Sequence, residues 1–131
     1  KGEPSQRVMA LYETVLQAQE MALTKINHGV DGREIHKTIQ HFFSSKGYET
    51  EQKEGFIQGF FHGTGHGVGL EIHEAPRISQ RKDILQSGQV VTVEPGLYYR
   101  GIGGVRIEDT VVVRSNGCEN LSSFPKRLEL T

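Results

Sequence analysis

Along the first fifty residues the apolar positions recur at three- and four-residue steps. Val8, Leu11, Tyr12, Val15, Ala18 and Ala22 form one stripe, the period of a helix that buries a single face. Pro4 suits an N1-like position, where its missing N–H costs nothing, and Gly29 is the expected stop. A second helix is predicted to start at Asp31, with Glu34 completing a capping box. Ile35, Ile39, Phe42 and Phe43 make its buried face, Gly47 ends it, and Tyr48 closes over that end. After residue 55 the pattern changes to short runs rich in β-branched and aromatic residues, at 56–61, 89–93, 97–99 and 105–113. Ser115-Asn116-Gly117 reads as a hairpin turn, and residues 121–131 as a short edge strand or extended tail. Each helix can bury only one stripe, so both must pack on the sheet. Two helices followed by an antiparallel-type sheet is an α+β order, and 131 residues suffice for one domain, spanning 1–131, with one core.

Composition narrows the partners. A formal net charge of -1 gives no electrostatic case for nucleic acid or an anionic membrane surface. The longest apolar runs, such as residues 89–93, are far too short to span a bilayer. One cysteine, Cys118, forms no internal disulfide, so a reducing cytoplasm is the default location. No signal peptide is visible, and a first residue of Lys1 rather than Met hints at a fragment.

The chemistry concentrates in His62-Gly-Thr-Gly-His66-Gly-Val-Gly-Leu-Glu-Ile-His73-Glu-Ala-Pro76. Three of the six histidines fall within this stretch, separated by glycines. Two carboxylates follow in strand-like settings, Glu94 in Val93-Glu94-Pro95-Gly96 and Glu108 in Val105-Arg106-Ile107-Glu108-Asp109. Imidazole with carboxylates is the donor set of a hydrolytic divalent metal site. His62 and His66 are four apart, but the glycines between and after them disfavour a helix by about 0.8–1 kcal/mol each relative to alanine. In an extended, irregular strand residues four apart share a face, so both imidazoles can still point one way. Pro76 is expected to end the segment. Other motifs fail on spacing. Val68 and Leu70 occupy the third-glycine positions of a dinucleotide loop, and no Gly-Lys-Ser/Thr follows. His73-Glu74 begins a zincin-like pair, but Arg77 stands where the second histidine belongs. Singly, each residue has a plain structural reading: a surface or core histidine, a solvated Glu94 before Pro95, a Glu108 that pairs across strands. Together, two carboxylates beside an imidazole are explained by a cation, because an unpaired buried carboxylate is costly.

These three motifs, in this order, closely resemble the metallopeptidases of the pita-bread fold (family M24), which include methionine aminopeptidase, Xaa-Pro aminopeptidase and Xaa-Pro dipeptidase (prolidase), with creatinase as a relative. His62 and Arg106, two before Glu108, resemble the proline-peptidase branch. The resemblance implies the C-terminal half of that fold, two helices on an antiparallel sheet. It implies hydrolysis of the bond between an N-terminal residue and proline, through hydroxide activated by two divalent ions (Mn²⁺, Co²⁺ or Zn²⁺). It further implies that His66, Glu94 and Glu108 are metal ligands, Glu108 bridging both ions and Glu94 also shuttling a proton. His62 and His73 would face the substrate, Arg106 would hold nearby carboxylates, and Tyr98 is a weaker pocket candidate. The family's two aspartate ligands would lie upstream of the first helix, and Asp31, Asp83 and Asp109 sit in the wrong places to replace them. The expectation is therefore a chain that binds at most one ion weakly and has little activity alone. The expected partners are a peptide with proline at its second position and further copies of the chain in a homo-oligomer. Two other readings stay open, a non-catalytic binding module of the same fold and a creatinase-like C–N hydrolase.

Overall fold

The computed structural model describes residues 2–129 and places both expected helices, α1 over Gln6–Lys25 and α2 over Gly32–Ser45. Ser5 caps α1, its hydroxyl accepting the Val8 N–H at 3.3 Å, so Pro4 stands one residue before the cap rather than at N1. A serine supplies the acceptor that the first free N–H groups need. The helix also ends early. Ile26 caps it, and Gly29, at φ 83°, turns the loop beyond. Asp31 caps α2 as expected, accepting the Arg33 N–H at 2.9 Å. The capping box is half formed, because the Glu34 carboxylate pairs with Lys37 and Arg33 instead of reaching back. At the far end Gly47 adopts φ 82°, its N–H bonds the Ser44 carbonyl, and the Tyr48 N–H bonds the Phe43 carbonyl, each at 2.9 Å. Those two bonds close the helix in the way that the left-handed glycine permits. Leu11, Val15, Ala18 and Ala22 are buried on α1, and Ile35, His36, Ile39 and Phe43 on α2, with Phe42 only half-buried.

Nine strands follow among the described residues: β1 Glu51–Lys53, β2 Phe56–Gln58, β3 Gly65–Gly67, β4 Glu74–Ile78, β5 Val90–Val93, β6 Gly96–Tyr99, β7 Gly103–Arg106, β8 Asp109–Val113 and β9 Cys118–Asn120. They make a five-stranded antiparallel sheet in the order β4-β3-β5-β8-β9 and two hairpins, β1-β2 and β6-β7, with a bridge from Gly59 to Tyr98 joining the hairpins. Three expectations change here. Pro76 lies inside β4 rather than ending its segment, and β4 is an edge strand, where a missing N–H is tolerated. The run 56–61 is strand only to Gln58. Of the two readings of the tail the edge strand drops out, because residues 121–129 form no strand although the Leu121 N–H bonds the Thr110 carbonyl, and residues 130–131 lie outside the described residues. The turn at 115–117 does close the β8-β9 hairpin, with Gly117 at φ 90°.

The fourth change bears on the site. The run 105–113 is two strands in two different sheets, β7 pairing with β6 and β8 with β5. Both pairs keep one register, Val93 opposite Asp109 and Gly96 opposite Arg106. The interruption between them is two residues long on each side, so Glu94 stands across from Glu108, and Pro95 across from Ile107. Proline has no N–H to give the ladder, and the Glu94 N–H leaves it for the Thr64 carbonyl at 2.7 Å.

Alternation sorts the large sheet into two faces. Val91, Val93, Asp109, Val111 and Val113 are buried on one, toward the core. α1 packs against β5, β6 and β7, and α2 against β4. Thr92, Glu94, Glu108 and Thr110 line a cavity on the other. No helix among the described residues is long and apolar enough to cross a membrane. Truncating Ile39, fully buried in the core, removes side-chain packing that α2 and the sheet share. Ile39→Ala is expected to cost about 2–5 kcal/mol, read as a lower urea midpoint at unchanged slope.

Candidate active site

The glycines around His66 act by what they leave out. A Cβ on Gly65 would overlap the Thr92 carbonyl, and one on Gly67 the Ala75 carbonyl. Their absence lets β3 lie tightly between β4 and β5, with His66 at its centre. The ring of His66 is then fixed from both ends. Nδ1 lies 3.0 Å from the Gly67 carbonyl, which can only accept, so Nδ1 carries a proton. Nε2 lies 3.0 Å from Glu94 Oε1. In the neutral ring that tautomer aims a lone pair at a carboxylate. Two acceptors face each other, and a positive charge between them satisfies both.

Thr92 ties the pair together. Its hydroxyl accepts the His66 N–H and donates to Glu94 Oε1, each at 3.1 Å. Glu94 is buried, at 9 % exposure. Its other oxygen, Oε2, lies 3.4 Å from Arg106. Arg106 Nε donates to the Tyr98 hydroxyl at 2.8 Å, and that hydroxyl lies 3.0 Å from His62 Nε2. His62 Nδ1 donates to the Gly63 carbonyl at 2.8 Å, so the Tyr98 O–H donates to Nε2 of a neutral ring. Burial, opposed by the bond to Gly63 and reinforced by Arg106, holds the His62 pKa below the ordinary imidazole value. His73 is exposed, its ring centroid 4.4 Å from that of His66.

The residues expected from sequence therefore gather. A cavity of about 480 Å³ is lined by His62, His66, His73, Arg77, Glu94 and Arg106 among others. A neighbouring one of about 380 Å³ adds Glu108 and Thr92 to His66, His73, Glu94 and Arg106. The ligand set is looser than expected. His66 and Glu94 touch, whereas Glu108 is exposed across the cavity, and no group of three His, Cys, Asp or Glu among the described residues closes on one point. The expected strand positions of Glu94 and Glu108 are also corrected, since both occupy the break between the sheets. Asp31, Asp83 and Asp109 are engaged elsewhere. They cap α2, accept the Arg77 N–H at 2.9 Å, and bind Gln19, Asn120 and Lys126, respectively. Thr92 and Thr64 join the site without having been expected from the sequence. Thr92 shares a strand face with Glu94 two residues on, whereas Thr64 meets Glu94 through its backbone carbonyl and its hydroxyl faces the distant His36, so no local pattern marks it.

The sequence profile of metallopeptidase family M24 matches residues 1–115. This chain belongs to metallopeptidase family M24. The M24 chain is 40% identical over 128 residues to the Xaa-Pro dipeptidase of Pyrococcus furiosus and 38% identical over 128 residues to that of Pyrococcus horikoshii, covering 97% of itself and 34% of each. Among solved structures it is similar to Xaa-Pro dipeptidase from Bacillus anthracis (TM-score 0.86, 46% identity, 97% of this chain and 34% of that one). X-Pro aminopeptidase from Thermotoga maritima is also similar (TM-score 0.84, 43% identity, 96% and 34%). The M24 chain thus spans about a third of the length of these relatives, aligning with a C-terminal part of them, and its two helices on antiparallel sheets are part of the pita-bread fold.

Behind the site, His36 on α2 is buried and its Nδ1 lies 2.9 Å from the Thr64 hydroxyl. Burial, and then the neighbouring His62, push its pKa down to about 4. Unfolded, it titrates near the ordinary 6.5. The folded state therefore loses stability as pH falls from about 6.5 to about 4, where the unfolded chain binds a proton that the folded one refuses. Thermal melts across that range should show an acid limb that His36→Gln flattens; an unchanged limb would place His36 in a protonatable setting.

Proposed function

We propose that these residues are the metal-binding part of an Xaa-Pro peptidase that hydrolyses the bond between an N-terminal residue and proline. The observation that carries the reading is the face of the sheet on which His66 Nε2 meets Glu94, with Glu108 standing across from Glu94. Like charges opposite one another on neighbouring strands repel, and a divalent cation turns that repulsion into attraction. The similarity to proteins named Xaa-Pro dipeptidase and X-Pro aminopeptidase supports the choice of substrate.

His66, Glu94 and Glu108 would hold the metal. Mixed imidazole and carboxylate donors suit Mn²⁺, Co²⁺ or Zn²⁺. When bound, a divalent ion supplies Lewis acidity, polarising the scissile carbonyl and easing deprotonation of water. Two such ions are the arrangement we favour for the intact centre, and one weakly held ion for these 131 residues alone.

The chain's own side chains divide the remaining work. Glu94 takes up a proton on its carboxylate and returns it to the leaving nitrogen. Arg106, against Oε2, orients that carboxylate between transfers. His73, exposed beside His66, donates toward the scissile carbonyl as charge develops on its oxygen. His62 is held neutral and pointed by Tyr98 and Gly63, so its ring packs against the substrate without adding charge.

Calorimetric titration of Mn²⁺ and of Zn²⁺ into the purified chain tests the reading. One weak site is expected, lost in His66→Ala; no uptake, or uptake indifferent to that substitution, would overturn it. The metal-loaded chain alone is expected to hydrolyse Ala-Pro negligibly, as its donor set is one imidazole and two carboxylates. Rapid turnover would refute the incomplete centre.

A further inference from the structure

Glu108 has no hydrogen-bonded side-chain partner among the described residues, so its position must come from its backbone, and that backbone is held from the opposite face of the sheet. The next residue, Asp109, points away from the cavity into the core and is only 3 % exposed. Three donors converge on its Oδ2. Gln19 Nε2 from α1 and Asn120 Nδ2 from β9 each lie at 2.8 Å, and Lys126 Nζ from the tail lies at 2.6 Å. Lys126 also donates to Gln19 Oε1 at 2.8 Å, closing a ring of helix, strand and tail. The tail is stitched on further. Ser122 Oγ accepts the Thr110 N–H at 2.9 Å, and the Ser122 N–H bonds Asn120 Oδ1 at 2.8 Å. Asn120 and Lys126 lie beyond residue 115, outside the matched family segment.

We infer that Lys126 is a positioning residue for Glu108: by clamping Asp109 against Gln19, it fixes the turn of chain from which Glu108 enters the cavity. The inference rests on the reading of Glu108 as a metal ligand. Its physical basis is the charge count at Asp109. A buried carboxylate needs a cation or several donors, and Lys126 is the cation it receives. Without Lys126 the carboxylate keeps two neutral donors but must regain solvation, and the simplest way is for the strand start at Glu108–Thr110 to swing outward. Outer partners that orient ligands in this way typically govern metal affinity by tenfold or more.

The test compares the wild-type chain with Lys126→Met, Lys126→Arg and His66→Ala. Mn²⁺ affinity is read by calorimetry, and amide hydrogen exchange by NMR without metal. Lys126→Met is expected to weaken Mn²⁺ binding about tenfold and to speed exchange at Asp109 and Thr110, while the amides of α2 stay protected. Lys126→Arg, which preserves the cation, should restore both. Wild-type affinity and exchange in Lys126→Met would overturn the assignment. So would a loss of affinity that accompanies general loss of protection in α2, which marks a purely structural role. Should the wild-type chain take up no Mn²⁺ in a His66-dependent way, the metal reading fails, and the exchange rates at Asp109 and Thr110 alone decide whether the clamp exists.

Discussion

Everything in this molecule that bears on chemistry turns on the confrontation of Glu94 with Glu108. Two carboxylates that face each other across a break in an antiparallel hairpin are an unfavourable pair, and several contacts keep them there. Pro95 breaks the ladder beside them, so the pair sits where the long β5-β6 and β7-β8 hairpin is bent from one sheet into another. The Glu94 N–H is redirected to Thr64, Thr64 is braced by His36, and the Glu94 carboxylate is gripped by Thr92 and Arg106. On the other strand, the core-facing Asp109 anchors the chain to α1 and the tail. These contacts hold the Glu94 side chain from one side of the break and the backbone beside Glu108 from the other.

The two helices serve this arrangement from behind. α1 contributes a buried polar residue, Gln19, within an otherwise apolar stripe of Leu11, Val15, Ala18 and Ala22. α2 contributes His36, tilted against Phe60, which in turn lies edge-on to Phe43 and His62. Both polar residues lie on core faces, and each bonds one residue that adjoins the site, Asp109 for Gln19 and Thr64 for His36.

How far this could be read from the residues follows from what each relies on. The helices were legible because period 3.6 and the caps Asp31 and Gly47 are local signals. So was the pointing of His62 and His66 toward one side with Glu94 nearby, because alternation and glycine spacing are local patterns, whereas Arg106 was expected only through the family resemblance. The division of residues 105–113 between two sheets was not. Val105, Ile107, Val111 and Val113 read as one strand, and the break is imposed by Pro95 on the partner strand, a non-local cause. Pro76 misled in the opposite sense, since its tolerance depends on β4 lying at an edge, which only the sheet order reveals. Gln19 and Lys126 were invisible for the same reason, because their partner, Asp109, is distant in sequence from both.

The adjacency of Glu108 and Asp109 carries a consequence for how this strand can change. The two acids are chemically alike but face opposite sides of the sheet, one to the cavity and one to the core. A slip of β8 by a single residue would exchange them, placing the shorter acid in the cavity and the longer one against Gln19. The longer acid would then crowd the donors that converge on Asp109. Insertions and deletions are therefore barred from the stretch between Gly96 and Val113 unless they come in compensating positions within the β6-β7 turn, and drift in length should be confined to that turn and to the exposed loop after β3.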